Sequence, residues 1–315
     1  MKYNIALVMN NPSFSKDEIE KFKKLWNIQI FNVKKLLEEE AIKLLQNIDI
    51  LVCWMSWFEY IWKELIDWLP KMKFISVYWV WYDFINVKYA KDKWIIISTA
   101  TWSNSESVAE HTWGMILNLS KRISEFERET RKKWEIDVWK FQWIEVYWKT
   151  IWILWLGNIW KKISRISRWF DMKILWFSKS TKNIDNIKSV SKNELISQSD
   201  IIVLALPLNK DTENIIDYDD IKLMKDNIII VNCAREKLVN KKAVLDWIKN
   251  WKIFGYWVET EIYEEIKTND EYFMYPNVLL TPHNAWNTTE SDKNKLLITL
   301  ENIKAFINWN PINTI

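Results

Sequence analysis

Two side chains that can transfer protons or bind carboxylates stand directly after apolar segments of the chain. His283, one of only two histidines, follows a proline just after the apolar run 278–280. Arg235 closes the apolar segment that starts at Ile228. An imidazole exchanges protons near neutral pH, and a planar guanidinium can hold a carboxylate through two hydrogen bonds. These residue types fit acid–base catalysis beside a bound carboxylate, against the alternatives of a capping histidine and a surface ion-pair arginine.

A third segment has the spacing of a diphosphate-binding turn but carries the wrong residues. Read with glycine in place of tryptophan, residues 150–160 become a short apolar strand followed by G-x-G-x-x-G, with Trp155, Gly157 and Trp160 at the glycine positions. Glycine is needed there for a tight turn, for close approach of the backbone to a diphosphate and for close packing of helix on strand. Indoles at Trp155 and Trp160 would prevent all three.

Tryptophan also stands where turns and helix ends call for glycine. The chain has 24 tryptophans and only three glycines, whereas glycine averages about 7% of residues. Trp94, Trp251 and Trp309 occupy turn or cap positions, where glycine reaches positive φ without strain. We hypothesise that the gene uses UGA as a glycine codon. The alternative is a protein that truly contains these tryptophans. Such a protein would misfold or would not bind its cofactor.

The glycine hypothesis applies to particular positions. We call the chain with tryptophan throughout the tryptophan form, and the chain with glycine at the positions named next the glycine form. These positions are Trp79, Trp81, Trp94, Trp102, Trp148, Trp152, Trp155, Trp160, Trp251, Trp257 and Trp286.

Short apolar runs alternate with amphipathic segments along most of the chain, which is typical of β-α-β units on parallel sheets. The strands predicted besides the fingerprint strand at Thr150 span 4–9, 28–31, 50–53, 74–77, 95–98, 173–177, 201–205, 228–232, 253–256 and 278–280. One long helix is predicted from Ser105 to Glu127. Later helices are predicted to start near Ile159, Asn193, Tyr218, Lys241 and Asp292.

These elements predict an α/β fold with two Rossmann-like, doubly wound parallel-sheet domains flanking a cleft. We expect a substrate-binding domain at 1–103 plus 287–315 and a dinucleotide-binding domain at 104–286. The first domain is discontinuous, because the last helix, which runs to about Asn308, is expected to pack back on it.

Composition excludes several other classes of protein. The net charge is only +3 and both signs are interspersed, which argues against nucleic acid and anionic membranes as partners. No apolar run approaches eighteen residues, so we expect a cytoplasmic protein. Cys53 and Cys233 are isolated from each other and from histidine, which argues against a metal site and for a reducing compartment.

Several further segments occur in a characteristic order. With glycine read for tryptophan where needed, they are G-V-G-Y-D at 79–83, S-V-A-E-H-T at 107–112, L-P-L at 206–208 with Thr212, N-C-A-R at 232–235 and T-P-H-N-A-G at 281–286. Together with the fingerprint, they resemble the D-isomer-specific 2-hydroxyacid dehydrogenase family over nearly the whole chain. Five ordered motifs are far more specific than an isolated glycine fingerprint.

The resemblance implies catalytic roles for three residues. His283 would give a proton to the substrate oxygen as hydride arrives and remove it in the reverse direction, and Arg235 would hold the α-carboxylate and polarise the carbonyl. Glu264, five residues after Glu259, would orient and charge the histidine. The chain departs from the family pattern at Glu236, where glycine is usual, and at Glu265, where proline is usual. A solvated acidic loop is the alternative for Glu264.

The resemblance also implies a nicotinamide cofactor. Its binding residues would be Trp155, Gly157, Asn158, Ile159, Trp160, Ser178, Lys179, Ser180, Leu206, Pro207, Thr212, Cys233, Ala234, Arg235, Glu259, His283 and Trp286. Ser178 stands where an acidic residue would hold the ribose. Without that carboxylate a 2′-phosphate is not repelled, so we expect NADPH to be used at least as well as NADH. Glu259 would lie near the nicotinamide carboxamide.

The resemblance implies a small 2-oxo or 2-hydroxy acid as substrate, bound by Trp79, Val80, Trp81, Arg235 and His283. Segment 53–57 has no arginine where phosphoglycerate-using relatives carry one, which favours glyoxylate or hydroxypyruvate. D-3-phosphoglycerate dehydrogenase and a nucleotide-sensing corepressor are the alternatives. His111 is expected to be structural, and a homodimer packed through the helix at 105–127 is expected by analogy.

Overall fold

The computed structural model describes residues 3–9, 15–33, 36–54, 61, 63–82, 84–132, 139, 142–154, 157–176, 188–189, 191–259 and 270–315. The chain divides into two compact units. Unit 1 is Met1–Asn104 with Thr288–Ile315, and unit 2 is Ser105–Asn287. Each unit is described by itself below.

Strands and helices alternate through both units. The strands are β1 (Ile5–Met9), β2 (Ile28–Asn32), β3 (Ile50–Cys53), β4 (Phe74–Val77), β5 (Ile96–Thr99), β6 (Thr150–Leu154), β7 (Lys173–Trp176), β8 (Lys188–Ser189), β9 (Ile201–Leu204), β10 (Ile228–Asn232), β11 (Ile253–Glu259) and β12 (Val278–Thr281). The α-helices are α1 (Lys16–Leu25), α2 (Glu38–Leu45), α3 (Lys63–Asp67), α4 (Val87–Asp92), α5 (Ser105–Lys121), α6 (Ile123–Lys132), α7 (Asn158–Arg168), α8 (Lys192–Gln198), α9 (Tyr218–Leu223), α10 (Lys241–Lys249) and α11 (Thr289–Ile307).

Unit 1 contains a five-stranded parallel sheet in the order β2-β1-β3-β4-β5. Strands β3 and β4 are buried along their whole length, as expected for parallel strands covered on both faces. The last helix, α11, packs on β4 and β5. There the ring of Phe306 stacks on Phe74 at 4.4 Å between centroids, and the Asn302 side chain donates to the Thr99 carbonyl at 3.0 Å. The C-terminal segment therefore completes unit 1.

Unit 2 contains a seven-stranded parallel sheet in the order β12-β11-β10-β9-β6-β7-β8. The strand order reverses between β6 and β9, so this unit is doubly wound around the strand of the fingerprint. Ligands of open α/β sheets bind at such a switch point, outside the carboxyl ends of the strands. The predicted fold class, with two doubly wound parallel-sheet domains and a discontinuous first domain, is confirmed.

The prediction of one long helix from Ser105 to Glu127 is wrong in one respect. The segment forms two helices, α5 and α6, which meet at Arg122. Arg122 has a φ of 54°, which ends the hydrogen-bonded helix. Its buried guanidinium donates to both oxygens of Glu125 at 2.7 Å. The Asn118 side chain accepts from the Ser124 amide at 2.9 Å and so bridges the break. The amphipathic pattern continues through both helices, and for that reason the sequence did not show the break.

Strand β11 is longer than predicted, because Trp257, Val258 and Glu259 continue its pairing with β12. In the parts of the chain that the structure describes, no helix has the length and apolar character needed to cross a membrane. No group of three or more acidic, cysteine or histidine side chains within the same described ranges is arranged to hold a metal ion.

Candidate active site

The start of α7 lies at the switch point of the unit 2 sheet. Gly157 is its N-cap residue, with extended backbone and no side-chain cap, and Asn158 and Ile159 form the first turn. The amide groups of an uncapped helix start, together with the helix dipole, favour a bound phosphate. Trp155 of the fingerprint lies outside the described residues. The start of helix α7, which comes soon after β6 in the chain, therefore fits the diphosphate of a dinucleotide.

Two further tryptophans at glycine positions of the hypothesis lie in the strand and the helix that flank the fingerprint turn. Trp160 in α7 is buried in the core that contains α5 residues, whereas Trp152 in β6 is buried in the core on the opposite face of the sheet. The Nε1 atoms of both indoles are buried with no hydrogen-bond partner. An unsatisfied buried donor costs about 1–3 kcal/mol. The indoles at two glycine positions of the hypothesis are thus accommodated at an energetic cost.

Arg235 and His283 are brought into contact by neighbouring parts of the unit 2 sheet. Arg235 follows β10, and His283 follows β12 with a φ of 50°. The Arg235 Nη1 atom lies 3.3 Å from His283 Nε2. Since a guanidinium only donates, Nε2 is the atom that can accept in this contact. An oxygen that entered between the two nitrogens could accept from Arg235 and exchange a proton with His283.

The loop that carries Arg235 is held by Asn232, whose side chain is fully buried. Its Oδ1 accepts from the Ala234 amide at 3.1 Å, and its Nδ2 donates to the Arg235 carbonyl at 2.7 Å. Arg235 Nη1 also donates to the Ala234 carbonyl at 3.0 Å. Glu236, where the family pattern has glycine, begins a 3-10 helix at Glu236–Leu238. This turn is outside the left-handed region, so glycine is not required.

Glu259 ends β11 and is buried beside the same edge of the sheet. Its two carboxylate oxygens accept from the Thr281 hydroxyl and from the Ala285 amide, each at 2.9 Å. Thr281 in turn accepts from the Trp257 indole at 2.8 Å. The His111 ring packs 5.2 Å from the Trp257 ring, and burial lowers the pKa of His111, opposed by Glu259. His111 is thus packed within unit 2, and its expected structural role stays a prediction.

The other predicted cofactor residues of unit 2 follow the ends of β9 and β10. The Thr212 hydroxyl donates to the Pro207 carbonyl at 2.8 Å and shapes the loop that Leu206 begins. Burial raises the pKa of the Cys233 thiol to about 12, so this cysteine is no nucleophile at neutral pH. Ala234 is buried and Trp286 half-buried.

In unit 1, the predicted substrate-binding segment directly follows β4. Trp79 is buried, and Val80 and Trp81 are half-buried. The Trp79 ring stacks on Trp54 at 5.1 Å between centroids, and Trp54 follows β3. Segment 79–81 therefore starts at the carboxyl edge of the unit 1 sheet.

Four predicted site residues, namely Glu264, Ser178, Lys179 and Ser180, lie outside the described residues, as does Trp155. Two residues that position site side chains in the structure were not predicted as site residues. Asn232 positions the Arg235 loop, and Thr281 positions Glu259. A polar residue that closes an apolar strand was the available signal for both.

Comparison with known proteins connects this arrangement to a family. Residues 113–285 match the model of the D-isomer-specific 2-hydroxyacid dehydrogenase NAD-binding domain. A glyoxylate reductase from Thermococcus kodakarensis is 31% identical over 303 residues, which cover 92% of this chain and 90% of that protein. A D-3-phosphoglycerate dehydrogenase from Methanocaldococcus jannaschii is 32% identical over 86% of this chain but only 52% of its own length.

A solved structure supports the same relationship. An acyclic imino acid reductase in complex with NADPH and D-arginine has a TM-score of 0.88 and 27% identity, with 99% of each chain covered. The likeness thus extends over both units of the fold.

Proposed function

Because this chain belongs to the D-isomer-specific 2-hydroxyacid dehydrogenase family, we propose that it reduces a small 2-oxo acid, glyoxylate or hydroxypyruvate, to the corresponding 2-hydroxy acid. As a member of this family it is an oxidoreductase that acts on CH–OH groups with a nicotinamide cofactor. The glyoxylate reductase from Thermococcus kodakarensis supports the substrate class, because the match covers nearly all of both chains.

The observation that carries the proposal is the 3.3 Å contact between Arg235 and His283. In this proposal the guanidinium binds the substrate carboxylate and polarises the neighbouring carbonyl. His283 protonated on Nε2 gives its proton to the carbonyl oxygen, and the neutral ring takes it back from the hydroxyl in the reverse direction. Bound reduced cofactor supplies the hydride for C2. Glu264 is proposed to orient His283.

The test of this function is turnover with a panel of 2-oxo acids. We expect the purified enzyme to reduce glyoxylate or hydroxypyruvate with a higher kcat/KM than 3-phosphohydroxypyruvate. A clear preference for 3-phosphohydroxypyruvate would favour the D-3-phosphoglycerate dehydrogenase alternative, which the relative from Methanocaldococcus jannaschii supports. Absence of turnover on all three would contradict the proposal.

We propose further that NADPH is used at least as well as NADH. The support is Ser178 with Lys179 in place of an acidic ribose ligand. The NADPH bound to the related imino acid reductase shows that a chain of this fold can accept the 2′-phosphate. Comparing kcat/KM for the two cofactors tests this, and a strong NADH preference would contradict it. A homodimer is proposed by analogy, with light scattering as its test.

The glycine-codon proposal is supported by backbone conformation. Among the described residues, positive φ occurs at the tryptophans 94, 102, 148, 251 and 309, with values between 58° and 62°. A tryptophan in the left-handed region lowers the free energy of unfolding by about 1–2 kcal/mol, whereas glycine adopts this conformation without strain. Four of these positions belong to the glycine form and the fifth, Trp309, is a turn position of the same kind. We propose that the living protein carries glycine at these sites.

The mass of the protein purified from its native host tests this proposal. The expected mass is lower than 38.3 kDa by one tryptophan-to-glycine difference for each recoded site. The full mass of the tryptophan form would contradict it. Peptide sequencing across residues 150–160 would give the same answer for the fingerprint alone.

A further inference from the structure

Lys241 joins the two segments of unit 2 that lead to Arg235 and His283. It is the first residue of α10, the helix that follows the Arg235 turn. Its Nζ atom lies 2.7 and 2.9 Å from the two carboxylate oxygens of Asp270 and 4.0 Å from an oxygen of Glu236. Asp270 precedes β12, and His283 follows that strand. One ammonium is therefore shared between the chain beside Arg235 and the chain that continues to His283.

The helix itself does not explain a lysine at this position. The dipole of a helix disfavours a cation in its first turn, and the first turn of α10 holds no acidic residue. The opposite charge comes from Asp270 in the other segment. Burial acts to raise the pKa of the Asp270 carboxyl, but hydrogen bonds from Lys241 and from the Tyr272 amide lower this pKa below its usual range. The partner of Lys241 is thus a carboxylate at neutral pH.

Two buried tyrosines pack beside the same ammonium. The Lys241 Nζ atom lies 4.2 Å from the centroid of the Tyr272 ring, within the range of a cation–π interaction. The Tyr272 ring packs against Tyr256 of β11 at 5.9 Å between centroids. Burial raises the pKa of both hydroxyls, and the charge of Glu236 raises both further. The Glu236 carboxylate therefore lies close to the aromatic pair that Lys241 contacts.

We propose that Lys241 is a positioning residue for Arg235. Through Glu236 it holds the turn that carries the guanidinium. Through Asp270 it holds the segment that leads into β12 and on to His283. Lys241 thereby maintains the 3.3 Å separation between the Arg235 and His283 nitrogens, beside which the substrate is proposed to bind. This inference rests on the proposed function, because the separation matters for a substrate that contacts both side chains.

A role in stability alone would make these contacts nearly dispensable. The side chain of Lys241 is 36% exposed and that of Asp270 is 22% exposed, and ion pairs so close to solvent contribute little to stability. A misplacement of about 1 Å in a catalytic geometry can lower the rate about a hundredfold. Loss of the Lys241 contacts should therefore change substrate binding and turnover far more than it changes the Tm.

The test compares Lys241→Met with Lys242→Met, which removes the neighbouring exposed lysine of the same helix. In the glycine form, we expect Lys241→Met to raise KM for glyoxylate about tenfold while KM for NADPH changes less than about twofold. Lys242→Met should leave both values unchanged, and Lys241→Arg should restore KM because it keeps a cation of similar length. A partly misfolded sample would lower kcat without changing KM, so the rise in KM identifies positioning.

Glu236→Gln provides a milder variant that keeps the size of the side chain. Its effect on KM should combine with that of Lys241→Met to less than the product of the two, because both changes break the same connection. Independent effects that multiply would overturn the inference. A lower Tm of Lys241→Met with unchanged KM for glyoxylate would also overturn it.

The ring nitrogens of His283 report on this arrangement without any turnover. The chain has only two histidines, so nitrogen-15 spectra of a histidine-labelled protein contain two rings, which His111→Gln assigns. Lys241→Met should move the His283 Nε2 resonance, and Lys242→Met should leave it in place. A moved resonance in a protein that turns over no 2-oxo acid would contradict the proposed function while supporting the positioning role. An unmoved resonance would overturn the positioning role even in an active enzyme.

Discussion

Replacement of Trp94 by glycine tests the conformational basis of the glycine-codon proposal. Trp94 follows α4 with a φ of 62°, and its side chain is 90% exposed. The indole therefore contributes little buried area, and the backbone conformation dominates the effect. Replacing a non-glycine residue in the left-handed region by glycine removes a conformational cost of about 1 kcal/mol. We expect Trp94→Gly to raise the free energy of unfolding of the tryptophan form by about 1 kcal/mol.

Trp68 provides the matched control in the same unit. It is also exposed, at 61%, but it is not among the positive-φ residues, and its amide donates to the Glu64 carbonyl in a helical turn. Glycine in such a turn costs up to about 1 kcal/mol, so Trp68→Gly should lower stability. Urea unfolding followed by far-ultraviolet circular dichroism measures both variants without relying on tryptophan fluorescence.

The two replacements should change the free energy of unfolding in opposite directions. If Trp94→Gly destabilises the chain as much as Trp68→Gly does, the conformational reasoning is refuted. The five tryptophans with positive φ stand in five different turns of the chain. Their gains should then add to about 5 kcal/mol when all are replaced, since distant sites are nearly additive.

Three more predictions concern single side chains of the two units. Asn232→Ala should lower kcat/KM at least tenfold and the free energy of unfolding by about 2 kcal/mol, because the Ala234 amide and the Arg235 carbonyl lose a buried partner; kinetics and urea unfolding measure the two effects. Arg235→Lys should lower kcat/KM by about two orders of magnitude through loss of the bidentate guanidinium, and an unchanged value would contradict its role. Because burial lowers the pKa of Lys295, the unfolded chain binds more protons between that lowered value and about 10.4, so stability from this group rises with pH through the window. Lys295→Met replaces this buried ammonium of α11 by an apolar side chain, so in urea unfolding of the tryptophan form we expect it to be more stable than the parent chain near neutral pH. The difference should shrink as the pH rises towards about 10.4, and a pH-independent difference would contradict the burial argument.

Much of the fold follows from local patterns in the sequence. The strands at 50–53, 74–77 and 228–232 were predicted to the residue, because continuous apolar runs bounded by polar residues are typical of buried parallel strands. The break at Arg122 was not predictable, since it depends on a buried ion pair with Glu125 and leaves the amphipathic period intact. The length of β11 depends on pairing with β12, which no local pattern reveals.

The candidate site was predictable in part for a similar reason. The positions of Arg235 and His283 after apolar strands indicated the carboxyl edge of a sheet, but only the strand order brings the two side chains within 3.3 Å. Asn232 was quoted within a motif, yet its hydrogen bonds to the Arg235 loop required the folded turn.

The initial rate of NADPH oxidation with glyoxylate, measured for the glycine form and for its His283→Ala variant, shows whether His283 is the acid and base of a 2-oxo acid reductase. We expect saturable turnover by the glycine form. We also expect a rate at least a hundredfold lower in the variant, as general acid–base catalysis contributes about 10²–10⁴-fold, with cofactor affinity retained. Equal rates in the two proteins would contradict the role of His283, and no turnover of glyoxylate or hydroxypyruvate by the glycine form with either cofactor would contradict the proposed function.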